Sequence, residues 1–229
     1  MRFPAVFLLS AASVAWTAEG PSLDSTLNRM DTAAAAFRAV TAGLRKVSHT
    51  AIINEDNVES GVLYLKRPRP HEMKMLIELV QPEKKSVAVA GRTAEIYFPK
   101  MNTVQQYDIG KSRELLDQFF LVGFGSSRRD LETAYSIKLA GPAEVNGRKT
   151  ALLELIPRSK EVLAHLKRFE VWVAIEDKDA GYPVQQKFHT GGGDYILAMY
   201  KDLKINPPLA DTALKLHLPK DVKREFPQK

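Results

Sequence analysis

Residue types that catalyse reactions or ligate metals are sparse in this chain of 229 residues. Cysteine is absent, which excludes a thiol nucleophile, an iron–sulfur cluster, a disulfide framework and lipid attachment through a cysteine of this chain. The five histidines are His49, His71, His165, His189 and His217. No two of them lie three to five residues apart, so no helix would present a histidine pair to a metal. We therefore predict neither a metal site nor a cofactor.

Three glycine-containing segments resemble catalytic or binding motifs only in part. Gly-Phe-Gly-Ser-Ser at 123–127 lacks the spacing of a hydrolase nucleophile elbow. The glycines at 191–193 are followed by neither a Lys–Ser/Thr pair nor a predicted helix, as a phosphate loop requires. Asp177 and Asp179 supply too few oxygen ligands for a calcium loop. The sequence thus predicts a binding protein and not an enzyme.

Two apolar segments are the candidates for that binding function. Residues 112–121 have helical character and carry Phe119 and Phe120 in the most apolar stretch after the N-terminal segment. This helix could close a ligand cavity as a lid, and core packing is the alternative. Residues 72–80 alternate as a strand, with methionines at 73 and 75 on one face. Methionine adapts to irregular apolar ligands, although core filling explains it equally well.

The first 18 residues have the layout of a secretory signal peptide. Arg2 precedes an apolar run over 3–14, and small residues follow at Ala15 and Ala18. The run is shorter than the roughly 20 residues of a membrane span. A buried N-terminal helix is the alternative. We expect an exported protein with a signal peptide over 1–18 and a single domain over 19–229.

The remaining sequence predicts an α+β fold that is mainly antiparallel β. Apolar residues at steps of three and four predict one amphipathic helix over 24–46. Strand patterns then follow one another from 50 to 218, with short turns between them. About eleven strands in one sheet must curl. Helices over the concave apolar face would complete an unclosed half-barrel with a binding cavity inside.

The net charge of +6 raises the question of an anionic partner. The basic residues alternate with acidic ones, and the densest basic group is only Lys66, Arg67 and Arg69. This pattern, together with export, disfavours nucleic acid as a ligand. Anionic lipid head groups or an acidic protein fit an exported basic surface better. An ordinary solvated surface is the alternative.

The order of several strand motifs resembles LolA, the periplasmic lipoprotein carrier, and its wider superfamily. Leu-Tyr-Leu-Lys-Arg-Pro at 63–68 follows a glycine-containing strand, and an alternating strand ending in Gln-Pro comes next. Two further strands, the apolar insertion near 120 and the segment 214–222 occur in matching order. The resemblance covers about residues 23–226. It rests on order and spacing, because each motif alone is weak.

This resemblance implies an unclosed antiparallel half-barrel, lidded by helices, that carries acyl chains of lipoproteins without catalysis. It implies a periplasmic monomer that receives cargo from an inner-membrane ABC exporter and gives it to an outer-membrane acceptor. The family's lid-holding arginine falls on Arg67, and we predict that Arg67→Leu traps cargo or blocks its handover. The acyl-binding residues are then predicted to be Leu63, Leu65, Met73, Met75, Ile77, Phe119 and Phe120.

The segment after Arg67 departs from the family pattern, which often has aromatic residues there. Here His71, Glu72 and Met73 occupy these positions, and the usual Asp-Gly turn is Ala90-Gly91. These departures bear on the cargo more than on the fold. Two alternatives therefore stay open beside lipoprotein delivery. One is a lipid- or lipoprotein-sensing regulatory module of envelope stress, and the other is a carrier of free lipids linked to an export pump.

Overall fold

The computed structural model describes residues 20–70, 72–110 and 122–228, which form one twelve-stranded sheet with three α-helices. The helices of these residues are α1 (Leu23–Ala36), α2 (Arg128–Ala134) and α3 (Lys160–His165). The strands of the first half are β1 (Ala39–Thr50), β2 (Glu55–Arg69), β3 (Glu72–Gln81), β4 (Lys85–Ala90), β5 (Thr93–Phe98) and β6 (Thr103–Asp108). The strands of the second half are β7 (Tyr135–Val145), β8 (Arg148–Pro157), β9 (Arg168–Ala174), β10 (Pro183–His189), β11 (Tyr195–Ile205) and β12 (Lys223–Glu225).

The sheet consists of two antiparallel meanders that meet at β1. Strands β1 to β6 follow one another across one half, and β7 to β11 follow one another across the other. Strand β11 then pairs with β1, so the first strand of the fold is central in the sheet. The last strand, β12, pairs in parallel with β6 at one edge, and β7 forms the other edge. This unclosed, curled sheet confirms the predicted half-barrel class.

Helix α1 covers part of the concave face. It begins at Ser22, whose side chain accepts a hydrogen bond from the Ser25 backbone N–H, while the Ser25 side chain accepts one from the Ser22 N–H. Such a reciprocal pair satisfies N–H groups that the first turn leaves without partners. Its inner side buries Leu27 and Met30 against β8 and β9, and Ala33 lies nearer β1 to β3. The two halves of the sheet therefore share one helix as cover.

The predicted helix over 24–46 is wrong in its second half. The helix ends at Ala36, and β1 runs from Ala39 to Thr50 as a strand between β2 and β11. Val40 and Leu44 are four residues apart, a step that satisfies both the helical and the strand period. The strand is favoured because both of its edges are paired. The polar residues 55–57 have the composition of a turn, but they lie within β2, and residues 51–54 form the turn between β1 and β2.

The predicted strand at 214–218 is wrong as well. Residues 206–218, here named the C-terminal strap, cross the convex face of the sheet and contain a 3-10 turn at Asp211–Leu214. Leu214 packs on Leu76 and Ala88 from the outer side. The apolar residues of the strap are therefore buried against the outer face of the sheet, and the strap does not pair with a strand. Strand formation follows only later, in β12.

The strap is also held by an ion pair network. Asp211 accepts hydrogen bonds from Lys66 at 2.5 Å and Lys74 at 2.6 Å, on neighbouring strands β2 and β3. Hydrogen bonds from these two lysines lower the pKa of Asp211 to about 2. Lys66 also donates to the backbone carbonyl of Leu209, at 2.8 Å. The ion pairs of Asp211 and the burial of Leu214 thus hold the strap against the same strands.

Other local predictions have mixed outcomes. An Asn-Gly pair between two apolar runs predicts a hairpin turn at 146–147, and this turn joins β7 to β8 with positive φ at both residues. The sequence of 128–133 also predicts a short helical turn, which α2 confirms, whereas the sequence did not predict α3. The predicted helix over 112–121 and the predicted signal peptide over 1–18 lie outside the described residues. Within the described ranges, no helix has the length and apolar character needed to cross a membrane.

Candidate functional site

The concave face contains an apolar cavity of about 430 Å³. Its volume lies within the roughly 300–1,000 Å³ of small-molecule sites. Most of the described residues that line it are apolar, namely Leu44, Leu63, Leu65, Met75, Ile77, Val87, Phe124, Leu166, Phe188, Ile196 and Ala198. The polar lining residues are Lys46, His165, Gln186, Thr190 and Tyr200. The cavity spans the join between the two meanders, because β1 and β11 both contribute to it.

Four of the predicted acyl-binding residues line this cavity: Leu63, Leu65, Met75 and Ile77. Met73 is fully buried in the same apolar cluster but is not a lining residue. Phe119 and Phe120 lie outside the described residues. Register explains the grouping, since Met75 pairs with Leu65 and Ile77 pairs with Leu63 across β2 and β3. Their binding of acyl chains stays a prediction.

At one end of the cavity, Arg67 of β2 donates hydrogen bonds to the end of α1 and to the turn at 122–125. Its Nη2 donates to the carbonyls of Ala34 at 2.8 Å and Phe37 at 2.7 Å, and its Nη1 donates to Gly125 at 2.8 Å. The guanidinium carbon also lies 5.7 Å from the centre of the Phe37 ring. Carbonyls of the last helical turn lack partners within the helix, and a cation there complements the helix dipole. Arg67 therefore fixes the end of α1 to the turn at 122–125.

A second side chain anchors the same turn, which we name the anchored turn (residues 122–125). The Gln186 amide Nε2 donates to the carbonyl of Val122 at 2.7 Å, and the Tyr200 hydroxyl donates to Gln186 Oε1 at 2.5 Å. Burial raises the pKa of Tyr200, so its hydroxyl keeps the proton that it donates. Gly123 has a φ of +82°, and a Cβ there would lie 3.1 Å from Pro183.

The sequence analysis did not identify this second anchor. Gln186 faces the cavity from β10, two residues before the lining residue Phe188, and it is 2% exposed. A polar residue in an inward series of apolar ones needs a hydrogen-bond partner. That irregularity was the available signal, although the partner itself is set by the tertiary fold.

Phe124 places an aromatic ring of the anchored turn over the cavity wall. It is buried, with ring centres 6.1 Å from Phe37 and 5.3 Å from Tyr200. A second tyrosine joins this group, since Tyr182 donates to the carbonyl of Ala33 in α1 at 3.0 Å. Burial raises the pKa of Tyr182 as well. We call this region, together with Arg67, the closed end of the cavity.

The opposite end of the cavity carries charge. Lys46 Nζ lies 2.5 Å from Glu59 Oε2, and Lys85 Nζ lies 2.6 Å from Glu59 Oε1. The Glu59 side chain is 8% exposed, and the side chain of each lysine is 29% exposed. Burial raises the pKa of Glu59, but hydrogen bonds from Lys46 and Lys85 outweigh it and lower the pKa overall. We name this end, with its ionised Glu59 and two lysines, the polar end.

This arrangement can enclose an apolar chain, because hydrophobic burial favours its entry and the aromatic closed end excludes water. The described residues include no group of three or more His, Asp or Glu side chains that could hold a metal ion. Arg67, Gln186 and Glu59 are already paired with other side chains or with backbone carbonyls.

Comparison with known proteins supports this class of fold. No family model matches the chain, and no curated protein matches it. Solved structures do match. An uncharacterized conserved protein from Thermus thermophilus has 12% identity and a TM-score of 0.53, over 89% of this chain and 98% of that one. The lipoprotein LppX of Mycobacterium tuberculosis has 13% identity and a TM-score of 0.50, over 82% and 99%.

A LolA superfamily protein from Nitrosomonas europaea is also similar, with 12% identity and a TM-score of 0.44, over 84% of this chain and 97% of that one. The chain shares the fold of LppX and of the Thermus thermophilus protein, in agreement with the unclosed antiparallel half-barrel that the order of its strand motifs predicts. At these identities the likeness concerns the fold.

Proposed function

We propose that this protein is a carrier that binds acyl chains in the concave cavity and shields them from water between two membranes. The cavity of about 430 Å³, lined by aliphatic and aromatic side chains, is the observation that carries this proposal. The cargo would be the acyl chains of lipoproteins, taken from an inner-membrane exporter and delivered to an outer-membrane acceptor. The predicted signal segment at 1–18 fits export to the periplasm.

Burial of methylene groups would supply the affinity. Each buried methylene contributes about 0.8 kcal/mol, so a chain that buries about ten of them gains about 8 kcal/mol before the cost of ordering. Met75, at the wall, has a flexible side chain that can adjust to chains of different shape. The apolar part of the wall contacts a chain without directional hydrogen bonds, so it suits acyl chains as a class better than one particular molecule.

Release would depend on the anchored turn and α1. Both are held at the closed end by Arg67, and the turn is held again by Gln186. All of these acceptors are backbone carbonyls, which water can also satisfy once the turn moves. The closed state is therefore held by contacts that can be exchanged for hydration, as a reversible carrier requires.

The test is mass spectrometry of the material that co-purifies with the full chain from the cells that produce it. The test variant is Ala198→Trp, because Ala198 lines the cavity and a bulkier side chain would fill it. A matched control, Ala35→Trp, adds the same ring to the exposed side of α1. We expect acylated peptides or lipids with the wild type and with Ala35→Trp, and strong depletion with Ala198→Trp.

The identity of the recovered species sorts the alternatives. Acylated N-terminal peptides of lipoproteins would support lipoprotein delivery, and free lipids alone would favour a free-lipid carrier. Stable recovery of a protein partner that binds only the lipid-loaded form would favour a sensing module. Absence of any acylated species from the wild type, or equal recovery from Ala198→Trp, would contradict a function based on this cavity.

A further inference from the structure

We propose that the polar end of the cavity is a head-group site, so that the preferred ligand is an anionic amphiphile. Its acyl chain would lie along the apolar wall, and its carboxylate or phosphate would bind at Lys46 and Lys85. This inference rests on the proposed carrier function and specifies the chemical class of the ligand.

The position of the two lysines follows from the register of the sheet. Lys46 pairs with Ala198 and lines the cavity, two residues after the lining residue Leu44. Lys85 precedes the lining residue Val87 by two positions, so it lies on the same face of β4. Both lysines therefore belong to the concave face, beside Glu59 and next to the apolar lining residues Leu44 and Val87.

The local charge is unbalanced. One carboxylate, Glu59, serves two ammonium groups, and each of its oxygens accepts from one of them. An ammonium group has three donors, and the pairing with Glu59 uses one donor on each lysine. The trio therefore has a net charge of +1 with donor capacity left over.

Burial strengthens the attraction between this excess positive charge and an anionic group. Glu59 is 6% exposed, and the lysines are about seven-tenths buried, so solvent screens them less than it screens surface charges. Glu59 also fixes both lysines in place before a ligand arrives, which lowers the ordering cost of binding. His165 and Thr190 also line the cavity and add polar groups to its wall.

The opposite end offers no comparable site among the residues that the structure describes. The Arg67 guanidinium there donates to three backbone carbonyls, and the Phe37 and Phe124 rings pack beside it. An amphiphile thus has one favourable orientation, with its tail toward the closed end and its head at the polar end. In this orientation the apolar wall and the charge act on different parts of the same ligand.

The experiment measures displacement of the uncharged fluorescent dye phenylnaphthylamine from the full chain by matched pairs of amphiphiles. One pair is palmitate and palmityl alcohol, and the other is lysophosphatidic acid and monoacylglycerol. Charge-assisted hydrogen bonds at a partly exposed site lead us to expect about tenfold tighter binding of the anionic member. Preference in only one pair identifies carboxylate or phosphate as the head group.

Three variants locate the preference. Lys46→Gln should reduce it toward equal affinity, whereas Glu59→Gln, which removes the negative charge, should preserve or increase it. Lys201→Gln is the matched control, because this exposed lysine of β11 changes the net charge of the protein equally. Circular dichroism and thermal unfolding establish that each variant is folded. A preference that Lys201→Gln lowers as much as Lys46→Gln would overturn the assignment to the polar end.

The wild-type measurement alone can also refute the proposal. Equal affinity for the anionic and uncharged members of both pairs overturns the head-group site and leaves the carrier function standing. Failure of all four amphiphiles to displace the dye overturns the carrier function together with the site. The two failures are thus distinguishable without any variant.

Discussion

Replacement of Arg67 by leucine tests whether one side chain holds the closed end together. The change removes the donor of three hydrogen bonds, to Ala34, Phe37 and Gly125, while it keeps an apolar side chain beside the Phe37 ring. Hydrogen bonds to a charged group contribute about 1.5–3 kcal/mol each. They share one donor group, so they are not additive, and water can reach part of the exposed carbonyls in the variant.

We therefore expect Arg67→Leu to lower the free energy of unfolding by about 3–4 kcal/mol. Urea unfolding measures this loss. Amide hydrogen exchange should show faster exchange in the anchored turn and in the last turn of α1 than in the central strands. A handover assay tests whether the closed end gates transfer: the variant is expected to trap its cargo or block handover, and unchanged handover by a folded variant would count against a gating role for Arg67.

The matched control is Arg69→Leu, two residues further along β2. The Arg69 side chain is 79% exposed and pairs with Glu72, so its loss should cost under about 0.5 kcal/mol. Equal stability losses for the two leucine variants would refute the reasoning. So would a large loss for Arg67→Leu without faster exchange in the anchored turn, because the effect would then lie elsewhere.

Two further predictions concern the second anchor and the strap. Gln186→Leu should cost about 1–3 kcal/mol in urea unfolding and speed exchange in the anchored turn, because the Val122 carbonyl loses its donor. Gln185→Leu, on the outer face of β10, is the control, and an equal cost would contradict the anchor. Asp211 has a pKa depressed to about 2, so its stabilising contribution is present above its ordinary pKa and lost as pH falls toward 2. The decline of the urea midpoint between about pH 4 and pH 2 should therefore be smaller in Asp211→Asn than in the wild type or Asp221→Asn.

The sheet could be predicted from the sequence because side chains of a strand alternate between its two faces, so apolar residues recur at every second position. In β3, alternation alone placed Met75 and Ile77 on one face, and the structure puts both at the cavity wall. The boundary between α1 and β1 could not be placed in this way. Val40 and Leu44 fit either period, and the decision came from β2 and β11, which pair with β1 on its two sides.

The strap and the second anchor illustrate a different limit. Leu214 and Leu216 have the pattern of a strand, yet they pack against the outer face of strands that lie far away in the sequence. The Gln186 contact likewise depends on the path of the anchored turn. Lys46 and Lys85 could not be singled out from the sequence, since nothing local shows that both face inward toward one glutamate.

The second anchor has a thermodynamic consequence for cargo. Gln186 and Tyr200 line the cavity, and the same two side chains hold the anchored turn through the Val122 carbonyl. Any ligand that presses on this pair is energetically coupled to the turn. Coupling of this kind is reciprocal: a ligand that binds more tightly to the released form promotes release of the turn by the same factor. Occupancy of the cavity and the position of the anchored turn are thereby linked through two residues of the cavity wall.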